Sequence, residues 1–300
     1  MYSKSTGYSK KRVLTRNYND KYLAYSDHTN YLPLHNKKEN FKDIPKKCIT
    51  VLTRGYTNMN DYANLIKRNK HIEEQLIDKT IDILIFHEGN ITDEQQQEIA
   101  KHTPSLRILF INVTGPYAFR KEKESIEFDP DTKGFGIGYR HMCSFWFMGV
   151  SHFIEKYNQL LRIDEDCYMN SNIDYVFSLL HDYPFISAFY SDDSEFVTKG
   201  MNQFTLEFMK RAEGEFKQHT SKKIGGPYTN LFAISLDTIR NHSLFQKYVQ
   251  EVDDSNHIYI GRWGDLPLWG EAIHYIFGPE TLLIDKSIRY FHESHHSQIN

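Results

Sequence analysis

The sequence predicts an α/β fold in which a mostly parallel central sheet is flanked by helices. Three short apolar runs, at residues 48–52, 81–86 and 106–113, have the length of strands, and stretches with helical spacing separate them. This alternation is typical of parallel strands, because a crossover helix must return the chain to the edge where each strand begins.

The first half of the chain contains clear signals for individual elements. The run at residues 48–52 is rich in β-branched side chains, which favour strands, and Gly55 ends it. A helix is predicted after this strand. Thr92 and Gln95 have the spacing of a capping box, which predicts the start of a second helix before the third strand.

The second half begins with a glycine-rich loop at residues 134–138. This loop lacks the Gly-Lys-Ser/Thr of a phosphate loop, so we predict mobility rather than phosphate binding. Further strands are predicted at residues 160–163, 185–190 and 230–236, and Asp265 precedes a last helix. Between the loop and the first of these strands, a long helix is predicted from an apolar stripe formed by Met142, Phe145, Trp146, Val150, Phe153 and Ile154.

Composition excludes several classes of protein. The 300 residues carry a net charge of −3, which argues against nucleic acid as the main partner. No apolar run approaches the roughly 20 residues of a membrane helix, and residues 1–12 do not resemble a signal peptide. Cys48, Cys143 and Cys167 lack the spacing of a disulfide scaffold, so we expect a soluble chain, cytoplasmic rather than secretory.

Two regions differ in their sequence character. Residues 1–44 are rich in Tyr, Ser, Asn and Lys and have no periodicity, so we predict a flexible polar N-terminal arm. Residues 45–300 contain all of the predicted strands and helices, and we predict that they form a single domain.

The most informative stretch is Asp164, Glu165 and Asp166, which ends the apolar run at residues 160–163. If the run is a strand, Asp164 and Asp166 are two apart on extended backbone and their carboxylates point to the same side. Two carboxylates at the carboxyl end of a strand suit Mg²⁺ or Mn²⁺ with a diphosphate attached. The alternative is a solvated acidic turn, because an Asp-x-Asp also arises by chance.

Four sequence blocks stand in a fixed order: Y-R-H-M-C at 139–143, R-I-D-E-D at 162–166, R-W-G-D-L-P at 262–267 and I-R-Y-F-H at 288–292. They resemble the Y-R-H-M-C, R-V-E-P-D/G, E-R-W-G-D-A-P and I-G-Y-x-H motifs of the fungal Golgi α-1,2-mannosyltransferases, glycosyltransferase family 15. Several blocks in one order are more specific than any single motif, so the chain is identified as a diverged relative.

This resemblance implies a GT-A fold, with a donor-binding half at about residues 45–170 and an acceptor half at about residues 171–300. It implies transfer of mannose from GDP-mannose to a glycan or glycoprotein acceptor, with retention and with Mn²⁺ or Mg²⁺ as the metal. Carried over residue by residue, Asp164, Asp166 and His292 are the metal ligands.

Two further positions follow from the same resemblance. Tyr139 matches a tyrosine at the donor site, and Asp265 matches an acid that holds a sugar, so both are candidate catalytic residues. The residue types allow another role for Asp265, because an Asp at the start of a helix is a preferred N-cap. His292 could instead be a surface histidine in a polar tail.

Five residues are candidates for binding the nucleotide. Thr53 and Arg54 end the first predicted strand, where nucleotides bind in such sheets, although a solvated Arg54 is the alternative. Tyr139 belongs here as well. Arg140 and Arg162 are either partners of the diphosphate or internal ion-pair partners of the acids.

The chain departs from the resembled family at one chemically important position. The family has a Glu, proposed as nucleophile, in a segment similar to N-F-E-I, and the corresponding F-A-I of residues 232–234 places Ala233 there. Either retention proceeds without an enzyme nucleophile at this position, or the donor chemistry has changed. The alternatives are therefore another nucleotide sugar, an inactive carbohydrate-binding relative, or a metal-dependent phosphohydrolase of nucleotide sugars. The family's membrane anchor is also missing, which argues against a Golgi location.

Overall fold

The computed structural model describes residues 47–213 and 225–299. The predicted N-terminal arm at residues 1–44 lies outside them. Within the described residues, no helix combines the length and the apolar character that crossing a membrane requires.

A seven-stranded sheet forms the centre of the structure, in the order β3-β2-β1-β4-β9-β6-β10. Neighbouring strands are parallel except where β9 pairs with β4 and with β6. The predicted fold class, α/β with a mostly parallel central sheet, is confirmed. The strands are β1 (Lys47–Leu52), β2 (Asp82–His87), β3 (Arg107–Asn112), β4 (Gln159–Ile163), β6 (Phe185–Ser187), β9 (Leu231–Ser235) and β10 (Leu282–Ile284).

Both faces of the sheet are covered, which explains why its strands are continuous apolar runs rather than alternating ones. All six residues of β2 are buried. Leu84 and Phe86 belong to one hydrophobic cluster, whereas Ile83 and Ile85 belong to a second. Because successive side chains of a strand point to opposite faces, these two clusters are the cores on the two sides of the sheet.

The helices are α1 (Ala63–Gln75), α2 (Asp93–Lys101), α3 (Ile137–Phe147), α4 (Ile173–Leu179), α5 (Met201–Glu213), α6 (Leu236–Asn241), α7 (Ser243–Ser255), α8 (His257–Ile260) and α9 (Asp265–Ala272). The capping box predicted from Thr92 and Gln95 is present at the start of α2. The length predicted for α3 is wrong. The α-helix ends at Phe147, and a 3₁₀ helix, Gly149–Phe153, follows it.

Two small sheets bring distant segments next to β4. β5 (Cys167–Met169) follows β4 after a turn, and β11 (Tyr290–His292) lies antiparallel between β5 and β12 (Ser297–Ile299). In this register His292 faces Cys167. The C-terminal segment is thereby held against the acidic turn.

The second small sheet positions α9. It consists of β7 (Tyr190–Asp192) and β8 (Gly225–Pro227). A Cβ added to Gly270 in α9 would lie 1.8 Å from the Gly225 carbonyl oxygen, and one added to Gly226 would lie 2.2 Å from the Leu266 oxygen. Only glycine therefore allows this close approach of strand and helix, which fixes the place of Asp265 at the start of α9.

Candidate active site

The three acids that follow β4 lie on a turn, not on extended backbone. β4 ends at Ile163 and β5 begins at Cys167, whose N–H donates to the Asp164 carbonyl at 3.1 Å. The expectation that Asp164 and Asp166 sit on a strand is therefore wrong. On a turn the two carboxylates need not point to the same side. Asp164 and Asp166 have different hydrogen-bond and ion-pair partners.

Asp166 lies beside His292. His292 Nε2 is 3.3 Å from Asp166 Oδ2 and 3.0 Å from Ser294 Oγ, while His292 Nδ1 is 3.1 Å from Asn230 Nδ2. Burial alone would raise the pKa of Asp166, but hydrogen bonds from His292 and Ser294 lower it to about 2. The carboxylate is therefore ionised at neutral pH.

The group Asp166, Cys167 and His292 has its potential ligand atoms within 4.8 Å of one another. Burial raises the pKa of Cys167 well above its usual range, so this thiol stays neutral and does not suit a hard cation. Adjacent ligand atoms around an octahedral cation with bonds of about 2.1 Å are about 3 Å apart. Asp166 and His292 fit this requirement, whereas Asp164 lies outside the group.

Asp164 and Asp265 share one buried guanidinium. Arg162 donates from Nε and Nη2 to the two oxygens of Asp164 at 2.7 and 2.9 Å, and from Nη1 to Asp265 Oδ2 at 2.6 Å. Its guanidinium carbon also lies 4.3 Å from the centre of the Trp146 ring, a cation–π contact. Arg162 is thus an internal ion-pair partner of the acids, one of its two predicted roles.

Asp265 does not cap its helix. The N-cap of α9 is Gly264, which makes no side-chain cap, and Asp265 is the first helical residue. The alternative prediction of an N-cap role is therefore wrong. The carboxylate is 5% exposed and points to Arg162. Asp164 and Asp265 share one guanidinium, and these two ion pairs fix the positions of the three side chains.

Tyr139 projects from α3 near Asp265, and its contacts are to Arg262. The Tyr139 hydroxyl accepts from Arg262 Nη2 at 2.5 Å, and Arg262 Nη1 donates to Asp193 Oδ2 at 2.8 Å. Tyr139 is 38% exposed. A ligand can therefore reach its ring while Arg262 holds its hydroxyl in place.

Thr53 and Arg54 lie at the carboxyl end of β1, as predicted, but the Thr53 hydroxyl already has a hydrogen-bond partner within the protein. Its hydroxyl donates to Glu165 Oε2, and the Tyr56 hydroxyl donates to Glu165 Oε1 at 2.9 Å. Glu165 thereby ties the loop after β1 to the acidic turn, a role that sequence reasoning missed. Arg54 is exposed next to this loop.

Arg140 lies away from these groups. It is fully buried, and it donates to the carbonyl oxygens of Thr132, Phe135 and Tyr259 at 2.8, 3.2 and 2.6 Å. Because the Arg140 guanidinium donates to three carbonyl oxygens, it fixes the loop before α3. It is fully buried, so a diphosphate cannot reach it. We leave Arg140 out of the proposed site.

Another buried arginine, Arg68 in α1, was missed by sequence reasoning. Its Nε donates to the Ile163 carbonyl at 2.9 Å and its Nη2 to the Thr50 carbonyl at 3.1 Å. It therefore supports the ends of β1 and β4 directly beneath the acidic turn. The two carbonyls are distant in sequence from position 68, so no local pattern could indicate this contact.

Ala233 lies inside the sheet. It is fully buried in β9, opposite Leu161 on one side and Ile186 on the other. A carboxylate at this position would enter an apolar core.

Comparisons with known proteins identify the fold. No protein-family model matches the chain, and no curated protein matches it. The mannosyltransferase Ktr4p from S. cerevisiae superposes with a TM-score of 0.68 at 18% identity, covering 83% of this chain and 70% of its own, and its GDP complex gives the same TM-score. Core-mannan synthase A from Aspergillus fumigatus, in its Mn/GDP form, gives a TM-score of 0.69 at 14% identity over 89% of this chain and 79% of its own. The GT-A fold is thus confirmed, and the resemblance to the fungal family holds at the level of the fold.

Proposed function

We propose that this protein is a metal-dependent glycosyltransferase that transfers mannose from GDP-mannose to a glycan or glycoprotein acceptor with retention. The observation that carries the proposal is the placement of Asp166 beside His292, next to the Arg162–Asp265 ion pair. A carboxylate and an imidazole that could ligate a metal lie near a buried acid at the carboxyl end of β4, where ligands bind in such sheets.

Asp166 and His292 would hold the cation. One carboxylate and one imidazole suit Mn²⁺ better than Mg²⁺, which prefers oxygen ligands alone. When bound, the cation acts as a Lewis acid on the departing diphosphate. The Asn230 amide nitrogen lies 3.1 Å from His292 Nδ1 and fixes the orientation of the ring.

Each half of the domain would bind one of the two substrates. We propose that residues 45–170 bind the donor and that residues 171–300 bind the acceptor. Arg54 is exposed after the end of β1, and we propose that it contacts the nucleotide. Glu165 keeps the adjoining loop in register with the acidic turn through Thr53 and Tyr56.

Asp265 and Tyr139 would contact the sugar. Arg162 orients the Asp265 side chain, so that its free lone pairs can accept from sugar hydroxyls. Because Ala233 lies in the core, no carboxylate there can attack the anomeric carbon. We propose that the acceptor hydroxyl attacks from the face that the diphosphate leaves, and that the leaving group takes the proton.

This mechanism is tested by trapping the enzyme with a slow fluorinated donor and mapping any adduct by mass spectrometry. We expect none at residues 230–234. Ala233→Glu should not raise the rate, because an acid buried there would be protonated. A covalent adduct on Asp265 would show that another residue is the nucleophile, and the proposed route would then be wrong.

The function itself is tested by calorimetry and thermal shift with nucleoside diphosphates and nucleotide sugars in the presence of Mn²⁺, because a ligand of the folded state raises the melting temperature. We expect GDP to bind more tightly than UDP. A preference for UDP by about tenfold, or about 1.4 kcal/mol, would favour another nucleotide sugar. Donor hydrolysis without transfer to any acceptor would favour a phosphohydrolase.

A further inference from the structure

Three aromatic side chains form a row on the surface beside the candidate site. Phe196 is 47% exposed and Tyr139 38% exposed, and Phe135 lies between them. The Phe135 ring is 6.4 Å from that of Phe196, inclined by 27°, and 5.4 Å from that of Tyr139. We call these three residues the aromatic row. Contiguous exposed rings of this kind mark binding surfaces rather than random exposure.

Arg262 holds the inner end of the row. Its guanidinium carbon lies 4.4 Å from the centre of the Phe135 ring and 4.6 Å from that of Tyr139. The same guanidinium donates to Asp193 and to the Tyr139 hydroxyl. Both rings are therefore fixed before any ligand arrives, which reduces the entropy that binding must overcome.

The conformation of Arg262 is costly. Its φ is +60°, in the left-handed region that residues other than glycine rarely adopt, and its Nε is buried without a hydrogen-bond partner among the described residues. Each of these features costs about 1–3 kcal/mol. The packing that maintains Arg262 in this state also presents the aromatic row, which suggests that the row has a function.

The Tyr139 end of the row lies close enough to Asp265 for the two groups to interact electrostatically. Gly264 separates Asp265 from Trp263 and Arg262, and a Cβ added to Gly264 would lie 3.3 Å from Asp193 Oδ2. Asp193 Oδ1 accepts from the Ser194 N–H and Oδ2 from Arg262, which leaves lone pairs on both oxygens. A carboxylate with spare acceptors thus stands between the buried acid and the exposed rings.

The aromatic row combines Phe135 and Tyr139 of the donor half with Phe196 of the acceptor half, so it lies where the two halves meet. We propose that it is an acceptor subsite that binds the second hexose of an oligosaccharide while the first hexose lies at Asp265. This inference rests on the proposed glycosyl transfer. A pyranose has an apolar face of C–H groups, which packs on aromatic rings, and hydroxyls at its edge, which Asp193 can accept from. Apolar rings with a few fixed polar groups are the usual lining of a small-ligand site.

The test compares two variants of the full chain that each lose one exposed aromatic ring, Phe196→Ala in the row and Tyr183→Ala outside it. Binding of monosaccharides and disaccharides (mannose and mannobiose, glucose and maltose, galactose and lactose) is measured by calorimetry with GDP and Mn²⁺ present. We expect one disaccharide to bind about tenfold more tightly than its monosaccharide, which corresponds to about 1.4 kcal/mol. Phe196→Ala should remove this difference, and Tyr183→Ala should preserve it.

Each outcome bears on a different claim. If GDP binds but no disaccharide exceeds its monosaccharide, or if Phe196→Ala leaves the difference intact, the subsite is wrong and the proposed function stands. If GDP and the other nucleotides do not bind at all, the proposed function is wrong, and the subsite that rests on it is wrong as well. A concentration-dependent dimer that Phe196→Ala abolishes would show that the row is an interface between copies, which would also overturn the subsite.

Discussion

Asp164 and Asp166 are two positions apart in one turn, yet they face chemically different surroundings. On the side of α9, Asp164 shares the buried Arg162 with Asp265. On the side of β11, Asp166 meets a histidine and a serine hydroxyl. A guanidinium is always charged and is here already paired with both acids, whereas an imidazole and a carboxylate can both ligate a cation. Asp164 is therefore committed to an ion pair with Arg162, whereas Asp166 is available to a cation.

The largest expected effect comes from the β11 side of the turn. Asp166→Ala should lower Mn²⁺-dependent transfer by about a thousandfold, because the charge on the leaving diphosphate loses its support. The fold should survive, since the Asp166 side chain is one-quarter exposed. Initial rates over a Mn²⁺ titration measure the loss, and Asp182→Ala, which removes an exposed acid elsewhere, is the control. Full activity of Asp166→Ala, or activity unaffected by EDTA, would exclude the metal site.

The α9 side should respond in stability. Arg162→Ala leaves Asp265 buried without its cation, which we expect to lower the free energy of unfolding by about 3 kcal/mol. Urea unfolding gives this value. Arg211→Ala breaks an exposed pair with Glu251 and should cost less than about 1 kcal/mol. Equal effects of the two substitutions would mean that the buried ion pair contributes no more to the free energy of unfolding than the exposed one.

Glu271 is a third kind of acid, buried in α9 without a lysine or arginine partner among the described residues. It is 4% exposed and accepts from Asn202 at 3.2 and 3.3 Å, and burial raises its pKa from 4.5 to about 7. The folded state therefore binds the proton more tightly than the unfolded state. Stability from this group is fully present below about pH 4.5 and is lost as the pH rises to about 7.

We expect this loss to be on the order of 2 kcal/mol. Glu271→Gln keeps the size and the hydrogen-bonding oxygen of the side chain but cannot ionise, so its stability should not show this contribution. Urea unfolding at several pH values between these limits, for both proteins, measures the difference. Parallel pH profiles for the two proteins would show that Glu271 does not control this range.

Local sequence patterns correctly predicted the strands and the helix cap that depend on interactions between neighbouring residues. The apolar runs of β1, β2, β3 and β4 are correct to within one or two residues, and so is the capping box of α2. The same patterns failed at the acidic turn, because three acids after a strand do not reveal whether the backbone stays extended. They also overestimated α3, since the apolar stripe continues through a 3₁₀ helix at the same spacing.

Local sequence patterns could not predict contacts between residues that are distant in the chain. His292 reaches Asp166 only because β11 pairs with β5, and it was identified from the family resemblance rather than from spacing. Arg68, Glu165 and Asp193 were missed, since each is defined by partners far along the chain. A buried arginine looks like any other arginine until its neighbours are known, which is why the sequence allowed Arg140 to be a partner either of the diphosphate or of the acids.

The smallest expected effect separates the two acids of the turn most directly. Asp164→Asn keeps an oxygen for Arg162 and removes one negative charge, so we expect transfer to fall less than about tenfold, with unchanged Mn²⁺ affinity, because Asp164 lies outside the ligand group. Asp166→Asn, measured in the same titration, should weaken Mn²⁺ binding strongly, since an amide is a poorer ligand than a carboxylate. Mn²⁺ affinity can be followed by paramagnetic relaxation of water, independently of turnover. If Asp164→Asn weakens Mn²⁺ binding as much as Asp166→Asn does, Asp164 exchanges Arg162 for the cation in the working enzyme, and the division of roles between the two sides of the turn is wrong.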